Sequence, residues 1–300
     1  VSGTTATFSL AQTATNMGVG DIIDYDADNK KCYISARTSQ TIWNCVSVNG
    51  GLPAPADNVT VNSISHAFNS LANAIADASG INHLNPTDLV SSNTILNIPC
   101  YFDTGGDTAA VTIQNYSTGP NNYIRIYAPA NTTSEVNQSQ RHRGRSGNNY
   151  KLLNAGPFRI YTDYTRIDGL EFSQNNGGIG VNPLSNAGSA ATDLRVSNSL
   201  MHGFESAVYM TDTGSVKLSF WNNIIYDGTN NGSSVYNANP TNAFIGYNNT
   251  VYGNLRAFNL TSGSIHLKNN IANEQSEICY NLGVATTSNN ISSDGTSPDA

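Results

Sequence analysis

The sequence predicts an all-β protein: a right-handed parallel β-helix, preceded by a small N-terminal β module and a capping helix. Three observations predict it. A short pattern containing Asn-Asn pairs recurs every 20 to 26 residues in the second half of the chain. Short apolar runs typical of strands dominate from residue 98 onward. Only 12% of the 300 residues are charged, so neutral amides and hydroxyls must cover much of the surface.

Residues 1–56 alternate apolar and polar side chains and form the predicted N-terminal β module. Its clearest feature is a hairpin with strands at 31–36 and 41–48, a turn at 37–40 and Thr38-Ser39 as the two central turn residues. This register sets Cys32 opposite Cys45, at a Cβ separation that a disulfide can span. We therefore expect either a Cys32–Cys45 disulfide or, with equal weight, two free, half-buried thiols.

The same module contains Asp24, Asp26 and Asp28, whose alternation resembles the start of an EF-hand or dockerin-like calcium loop. Such a loop would make Ca²⁺ a cofactor. The pattern then departs from that motif, because Asn29 replaces the turn glycine and Ser35 replaces the closing glutamate. We favour an Asp-rich β-turn that leads into the hairpin.

Residues 57–97 are predicted to hold a helix and a linker that cap the solenoid. Apolar residues recur at helical spacing from Ile64 to Ala78, with Asn62 or Ser63 as the N-cap and Gly80 as the stop signal. We expect this helix to cover the first turn of the solenoid.

Residues 98–300 form the predicted solenoid. The leading asparagine of each repeat falls at 198, 222, 248, 269 and 289, and an earlier unit has Gly169 in the same slot. Repeats of this length with short strands and no helix pattern are typical of a solenoid. Asparagine tolerates the left-handed conformation of a sharp corner. We therefore predict a ladder of stacked side-chain amides formed by Asn198, Asn222, Asn248, Asn269 and Asn289.

Residues 164–172, followed by units such as Asn198-Ser199-Leu200-Met201-His202-Gly203, resemble the right-handed β-helix superfamily. This superfamily includes pectate lyases, polygalacturonases, phage tailspikes and many secreted surface proteins. The resemblance implies the fold, but the fold hosts several unrelated activities. The paired aspartates, Gly-His-Gly and Arg-x-Lys of the polygalacturonases have no counterpart beyond Met201-His202-Gly203, so we interpret His202 as a corner residue.

A polysaccharide lyase needs a base and a cationic group that neutralises the uronate. The densest cationic stretch is 141–145, with Lys151 and Arg159 nearby. If the protein is a lyase, Arg143, Lys151 and Arg159 are the catalytic candidates. A solvated loop packed on the first turns is the interpretation we favour.

Two further sets of residues bear on function. Tyrosines either line a face for sugar stacking or fill the interior; they are Tyr161, Tyr164, Tyr209, Tyr226, Tyr247 and Tyr252. Asn-x-Ser/Thr triplets are candidate glycosylation sites; they begin at Asn58, Asn115, Asn131, Asn137, Asn231, Asn248, Asn259 and Asn290. With few lysines, they indicate an extracellular or cell-surface protein, a glycoprotein if the sites are used.

The net charge of −7 and the pI near 5.0 argue against a nucleic-acid partner. No apolar run is long enough to predict a membrane span. Three functions remain. We favour a non-enzymatic structural or adhesive surface protein that acts as an adhesin, appendage or filament subunit. The alternatives are a lyase or hydrolase of acidic glycans and a glycan-binding module of a larger surface protein.

Self-assembly is the expected partner interaction for the favoured function. The repeat runs to residue 292, which leaves little sequence for a polar cap on the last turn. An uncapped turn presents unpaired backbone groups to another chain. Residues 1–10 could add a strand to such an edge and produce head-to-tail assembly.

Overall fold

The computed structural model describes residues 1–28, 30–84, 86–175, 177–184, 191–211, 214–229, 232–273 and 276–299. It confirms the predicted fold class. An N-terminal antiparallel sheet is followed by a short helix and a parallel β-solenoid. No helix in the described ranges has the length and apolar character that a membrane crossing requires.

The N-terminal sheet has the strand order β1-β4-β3-β2-β5. Its strands are β1 (Thr5–Thr7), β2 (Ile22–Tyr25), β3 (Lys30–Arg37), β4 (Ile42–Val46) and β5 (Val61–Ser65). The inward side chains of this sheet, among them the fully buried Trp43, form a core of their own. The sheet extends beyond residue 56, where the predicted module ended, because β5 pairs with β2.

The predicted pairing of Cys32 with Cys45 is wrong by two residues. Cys45 lies opposite Ile34. Arg37 pairs with Trp43, so five residues rather than two lie between the last paired positions of the hairpin, and this longer connection displaces the register. Both thiols are free and buried in the N-terminal core. The hydrogen bond between Cys32 and Cys45, followed by burial, raises the pKa of the Cys32 thiol.

The helix is shorter than the apolar spacing predicts. Helix α1 covers Leu71–Asp77, and the Ser70 side chain caps it by accepting a hydrogen bond from the Asn73 amide. Ile64 lies in β5 instead, because pairing with β2 satisfies the backbone of that segment. Leu71 and Ile75 are buried in the solenoid core, as expected of a helix that covers its first turns.

The solenoid strands form three parallel sheets, with seven or eight strands each in the described residues. The first sheet contains β6 (Leu96–Pro99), β8 (Ile124–Tyr127), β11 (Thr165–Asp168), β14 (Ala191–Ser197), β17 (Val216–Trp221), β20 (Ala243–Tyr247), β23 (Ser264–Lys268) and β26 (Ala285–Ser288). The second contains β9 (Lys151–Leu153), β12 (Glu171–Ser173), β15 (Leu200–His202), β18 (Ile224–Tyr226), β21 (Thr250–Tyr252), β24 (Ile271–Asn273) and β27 (Ile291–Ser292). The third contains β7 (Thr112–Ile113), β10 (Phe158–Ile160), β13 (Ile179–Pro183), β16 (Ser206–Met210), β19 (Ser233–Asn237), β22 (Arg256–Leu260) and β25 (Ile278–Leu282).

One rung of the solenoid passes from the first sheet through a two-residue corner to the second sheet and then to the third. The interior is filled by stacked apolar side chains from neighbouring rungs, such as Phe220 beside Phe244 and Phe258 beside Tyr280. Because strands of adjacent rungs lie about 4.8 Å apart, every outward position becomes one step of a column that follows the solenoid axis.

The last rung is covered by the segment that follows it. Asp294 accepts a hydrogen bond from the Cys279 amide at 2.7 Å, and Thr296 accepts one from the Tyr280 amide at 3.0 Å. Asp299 accepts the Asn290 amide at 2.8 Å. This polar cap differs from the uncapped end that the sequence predicts, because side-chain oxygens of a short segment replace the missing strand.

Candidate functional site

The predicted asparagine ladder lies at the corner between the first and second sheets. All five leading asparagines have positive φ values, between 51° and 56°. From Asn222 onward, the side-chain nitrogen of each asparagine donates to the side-chain oxygen of the ladder asparagine on the preceding rung, at 3.1 to 3.3 Å. Asn198, at the start, donates to Asp168 at 2.6 Å. Gly169 occupies the same slot with φ 78°. The outer ladder is therefore an exposed row of amides along one edge of the solenoid.

A second ladder, which the sequence reasoning did not identify, is formed by the second asparagine of each pair. Its members are buried; they are Asn223, Asn249, Asn270 and Asn290. The side-chain nitrogen of each of the first three donates to the side-chain oxygen of the buried asparagine on the following rung. Asn290 donates to the carboxylate of Asp299 at 2.7 Å. The sequence signal that could have predicted this buried ladder is the Asn-Asn doublet that starts at 222, 248, 269 and 289.

The outer face of the first sheet carries aromatic and cationic side chains beside the outer ladder. Trp221 pairs in register with Tyr247, which pairs with Lys268 on the next rung. Tyr247 is 40% exposed, and Trp221 is partly exposed. Each residue directly precedes a member of the outer ladder. Two aromatic rings and a row of amides are thus presented together at the spacing of the rungs.

The six tyrosines considered from sequence do not form one platform. Tyr209 stacks on Tyr236 of the third sheet, with ring centroids 5.2 Å apart. Tyr226 and Tyr252 lie on the second sheet, whereas Tyr247 lies on the first. Trp221, which sequence reasoning did not single out, is the aromatic neighbour of Tyr247.

The cationic stretch 141–145 runs across the corner of several rungs. Arg141 forms an ion pair with Asp168, and His142 bonds to the carbonyl of Asn198 at 2.8 Å. Gly144 lies against Ile224, with 3.5 Å between a Cβ built on the glycine and the Ile224 side chain. The stretch therefore packs on the solenoid as a loop, which is the interpretation that the sequence favoured.

The structure places the three lyase candidates on three different elements. Arg143 is exposed on this loop, whereas Lys151 lies 3.5 Å from Glu171 in an ion pair on the second sheet. Arg159 projects from β10 in the third sheet. A joint catalytic role for Arg143, Lys151 and Arg159 stays a prediction.

Glu171 is a buried carboxylate that holds the loop to the second sheet. It accepts hydrogen bonds from Ser146 and Asn149, each at 2.6 Å, and lies 3.0 Å from His202. Burial raises the pKa of this carboxyl, but the bonds from His202, Ser146 and Asn149 outweigh that effect, so its pKa falls to about 2. His202 stacks on Tyr226, with centroids 4.9 Å apart. These contacts assign His202 a structural role on β15, next to the corner.

A cleft of about 1140 Å³ lies between the N-terminal sheet and the first solenoid sheet. Its lining includes Asp21, His66 and Arg125. Asp21 lies 2.6 Å from Nδ1 of His66 and accepts the Gly18 amide at 2.8 Å. His66 stacks on Tyr101, with centroids 4.8 Å apart. Sequence reasoning missed this pair because its members are distant in the chain and belong to no motif.

The Asp21–His66 pair has the chemistry of a proton acceptor. Burial raises the pKa of the Asp21 carboxyl, although the hydrogen bond from His66 opposes the rise. Burial lowers the pKa of His66, but the hydrogen bond and charge of Asp21 outweigh it, so the net pKa is raised. A carboxylate that orients an imidazole in a cleft is an arrangement that can support general base catalysis.

Asp24 lies in β2, and Asp26 and Asp28 belong to the turn between β2 and β3. Asp26 has φ 68° and forms an ion pair with Lys30 at 2.8 Å, whereas Asp24 accepts a hydrogen bond from Asn62 at 2.8 Å. In the described part of the chain no group of three or more His, Cys, Asp and Glu residues is arranged to hold a metal ion. Asp24 and Asp26 thus bind neighbouring side chains, as an Asp-rich turn would allow, and the calcium loop stays a prediction.

The candidate glycosylation sites differ in exposure. Asn58, Asn115, Asn131 and Asn248 are exposed. Asn137 bonds to Arg37, Gln12 and Ala14, and both Asn259 and Asn290 are buried, which leaves no room for a glycan. Asn231 lies outside the described residues.

Comparison of the chain with protein-family models, with curated proteins and with solved structures finds no match.

Proposed function

We propose that this protein is a non-enzymatic, extracellular adhesive protein that binds glycans along the outer face of its first solenoid sheet. Kinship with the pectate-lyase-like β-helix superfamily is part of the proposal, and the parallel solenoid of three sheets supports it. The exposed glycosylation candidates outside the outer ladder, Asn58, Asn115 and Asn131, support an extracellular location.

The observation that carries the proposal is the row formed by Trp221, Tyr247 and the outer ladder. Aromatic rings offer flat apolar faces, and Trp and Tyr combine an apolar body with a polar tip. Each ladder amide has two N–H donors and uses one toward its neighbour, so it retains hydrogen-bonding capacity toward sugar hydroxyls. A glycan chain lying along the axis could meet the same chemistry at each rung.

The contacts of segments 294–299 and 1–7 favour adhesion through a face over head-to-tail assembly. The cap formed by Asp294 and Asp299 occupies amides of the last rung. Strand β1 pairs with β4 of its own sheet, and the amino group of Val1 donates to Ala56 at 2.6 Å. A filament would require both segments to leave these contacts.

The binding proposal is tested with a glycan array and the variant Trp221→Ala. Tryptophan is enriched among the hot-spot residues whose truncation costs about 2 kcal/mol or more, so we expect affinity for the bound glycan to fall at least about tenfold. Tyr252→Ala, which removes a tyrosine from the second sheet, is the matched control and should bind as the native protein does. Absence of glycan binding, or equal losses in both variants, would refute the proposal.

A second candidate function is favoured by the Asp21–His66 pair in the cleft. Together with Arg125, which lines the same cleft, it supplies a base and a cation of the kinds that a uronate lyase needs. The assay is release of unsaturated, ultraviolet-absorbing sugar from uronate polymers. Activity that His66→Ala abolishes would support the enzyme; absence of any product would leave the binding function alone.

A further inference from the structure

The first solenoid sheet carries three arginines in one outward column. Arg125 pairs in register with Arg166, and Arg166 pairs with Arg195, so the side chains project from three successive rungs. Like charges on directly opposed residues of neighbouring strands destabilise a sheet. A chain with net charge −7 nevertheless keeps three of its arginines here. We call these three residues the arginine column.

Aromatic rings hold two members of the column in place. The guanidinium carbon of Arg125 lies 3.7 Å from the ring centroid of Tyr127, and that of Arg166 lies 3.4 Å from the centroid of Tyr123. Arg166 also donates to the carbonyl of Pro120 at 3.2 Å. A guanidinium ordered in this way loses less conformational entropy when it binds a ligand.

Carboxylates of the protein neutralise the column only in part. Arg195 forms an ion pair with Asp193 at 2.7 Å, whereas Arg125 and Arg166 take part in none of the ion pairs seen in the described ranges. Asp168, two residues beyond Arg166, is already engaged by Arg141 and Asn198. The Nε atom of Arg166 is buried without a hydrogen-bond partner. Among the residues that the structure describes, the guanidinium groups of Arg125 and Arg166 therefore have no carboxylate counterion.

We propose that the arginine column binds consecutive anionic groups of an acidic polysaccharide that lies along the solenoid axis. This inference rests on the proposed glycan-binding function and names the substrate class of the same face. Guanidinium groups bind carboxylates and sulfates through paired N–H donors. The column lies on the same sheet as Trp221 and Tyr247, so one chain can contact the arginines with its charges and the aromatic residues with its rings.

The test measures affinity by calorimetry for three polymers: a polyuronate, a sulfated glycan and a neutral glycan. The variant Arg166→Gln/Arg195→Gln should lose at least about tenfold in affinity for the anionic polymers and show a weaker salt dependence. Arg166→Lys keeps the charge but loses the planar guanidinium group. Its affinity for the anionic polymers should lie between that of the native protein and that of the double variant. Arg256→Gln removes an arginine from the third sheet and should leave binding unchanged. Circular dichroism checks that each variant is folded.

The outcomes separate this inference from the function on which it rests. Unchanged affinity of the double variant for both anionic polymers, or an equal loss in Arg256→Gln, overturns the arginine column. If Trp221→Ala then still abolishes binding, the glycan-binding function stands without the acidic specificity. If the double variant loses affinity while Trp221→Ala does not, the anionic site stands and the aromatic platform fails. Preference for uronate or for sulfate identifies the source of the charge.

Discussion

The buried ladder makes Asn249 the most informative position for a stability measurement. Its side chain is fully buried and takes part in four hydrogen bonds. Nδ2 donates to the carbonyl of Phe220 and to Oδ1 of Asn270, each at 2.9 Å. Oδ1 accepts from the amide nitrogen of Asn223 at 3.0 Å and from its side chain at 3.1 Å. Replacing Asn249 with alanine removes all four.

The expected cost follows from those contacts. A buried donor left without a partner costs about 1–3 kcal/mol, and the Asn223 amide is such a donor in the variant. The other three bonds contribute about 0.5–1.5 kcal/mol each, and some of their partners retain a second bond. We therefore expect Asn249→Ala to lower the free energy of unfolding by about 4 kcal/mol.

Urea denaturation followed by circular dichroism measures the loss, because the free energy of unfolding falls linearly with denaturant. Asn249→Asp is nearly the same size but places an oxygen where Nδ2 donates to two acceptors, so at pH 7 it should destabilise at least as strongly as Asn249→Ala. The control is Asn248→Gly in the exposed ladder. Water can replace its two bonds, and glycine accepts φ 54°, so its cost should stay within about 1 kcal/mol. Equal losses at 248 and 249 would refute the reasoning.

Three further predictions concern other parts of the solenoid. Gly203→Ala should cost about 3 kcal/mol or more in urea denaturation, because the added Cβ would lie 1.8 Å from the Gln174 carbonyl; Gly156→Ala, with a similar φ and open space, should cost only about 1 kcal/mol. Glu171 should contribute stability that is present above pH 4.5 and lost as the pH falls toward 2, because its folded-state pKa is lowered; thermal melts of Glu171→Gln should lack this dependence. Asp294→Ala/Asp299→Ala should uncover the last rung and cause association that depends on protein concentration in light scattering.

Each of these predictions has a result that contradicts it. Equal costs for Gly203→Ala and Gly156→Ala would mean that the close contact with Gln174 is relieved by movement of the rung. An acid transition of the same size with and without Glu171 would assign the pH dependence to other carboxyls. A monodisperse double variant of Asp294 and Asp299 would show that the C-terminal segment does not protect the edge.

The fold was predictable because its signal is local. A corner in the left-handed region selects asparagine or glycine, so the corners at Gly169, Asn198 and Asn222 could be located from residue type and spacing alone. The inward direction of the second asparagine was not predictable, since it depends on how the chain enters the second sheet. The sequence around Ile64 is compatible with either an apolar helix face or a strand. Pairing with β2 places Ile64 in a strand, and this pairing is not visible in the local sequence.

The candidate sites were harder to predict because long-range register creates them. The arginine column joins residues at unequal sequence intervals, since the loop at 128–150 lengthens one rung. The Asp21–His66 pair depends on how β5 aligns with β2. The predicted cysteine register failed because the connection between β3 and β4 is longer than two residues, so Arg37 pairs with Trp43 and Ile34 with Cys45. Nothing in the composition of these segments indicates such contacts.

The two amide ladders donate in opposite directions, the outer one toward Asp168 and the inner one toward Asp299. Both carboxylates lie outside the Asn-Asn units that separate them, so neither contact fixes the number of units. A module such as 248–268 could therefore be duplicated or deleted as a whole, and the length of the proposed glycan-binding face would change in steps while both carboxylate contacts stayed intact.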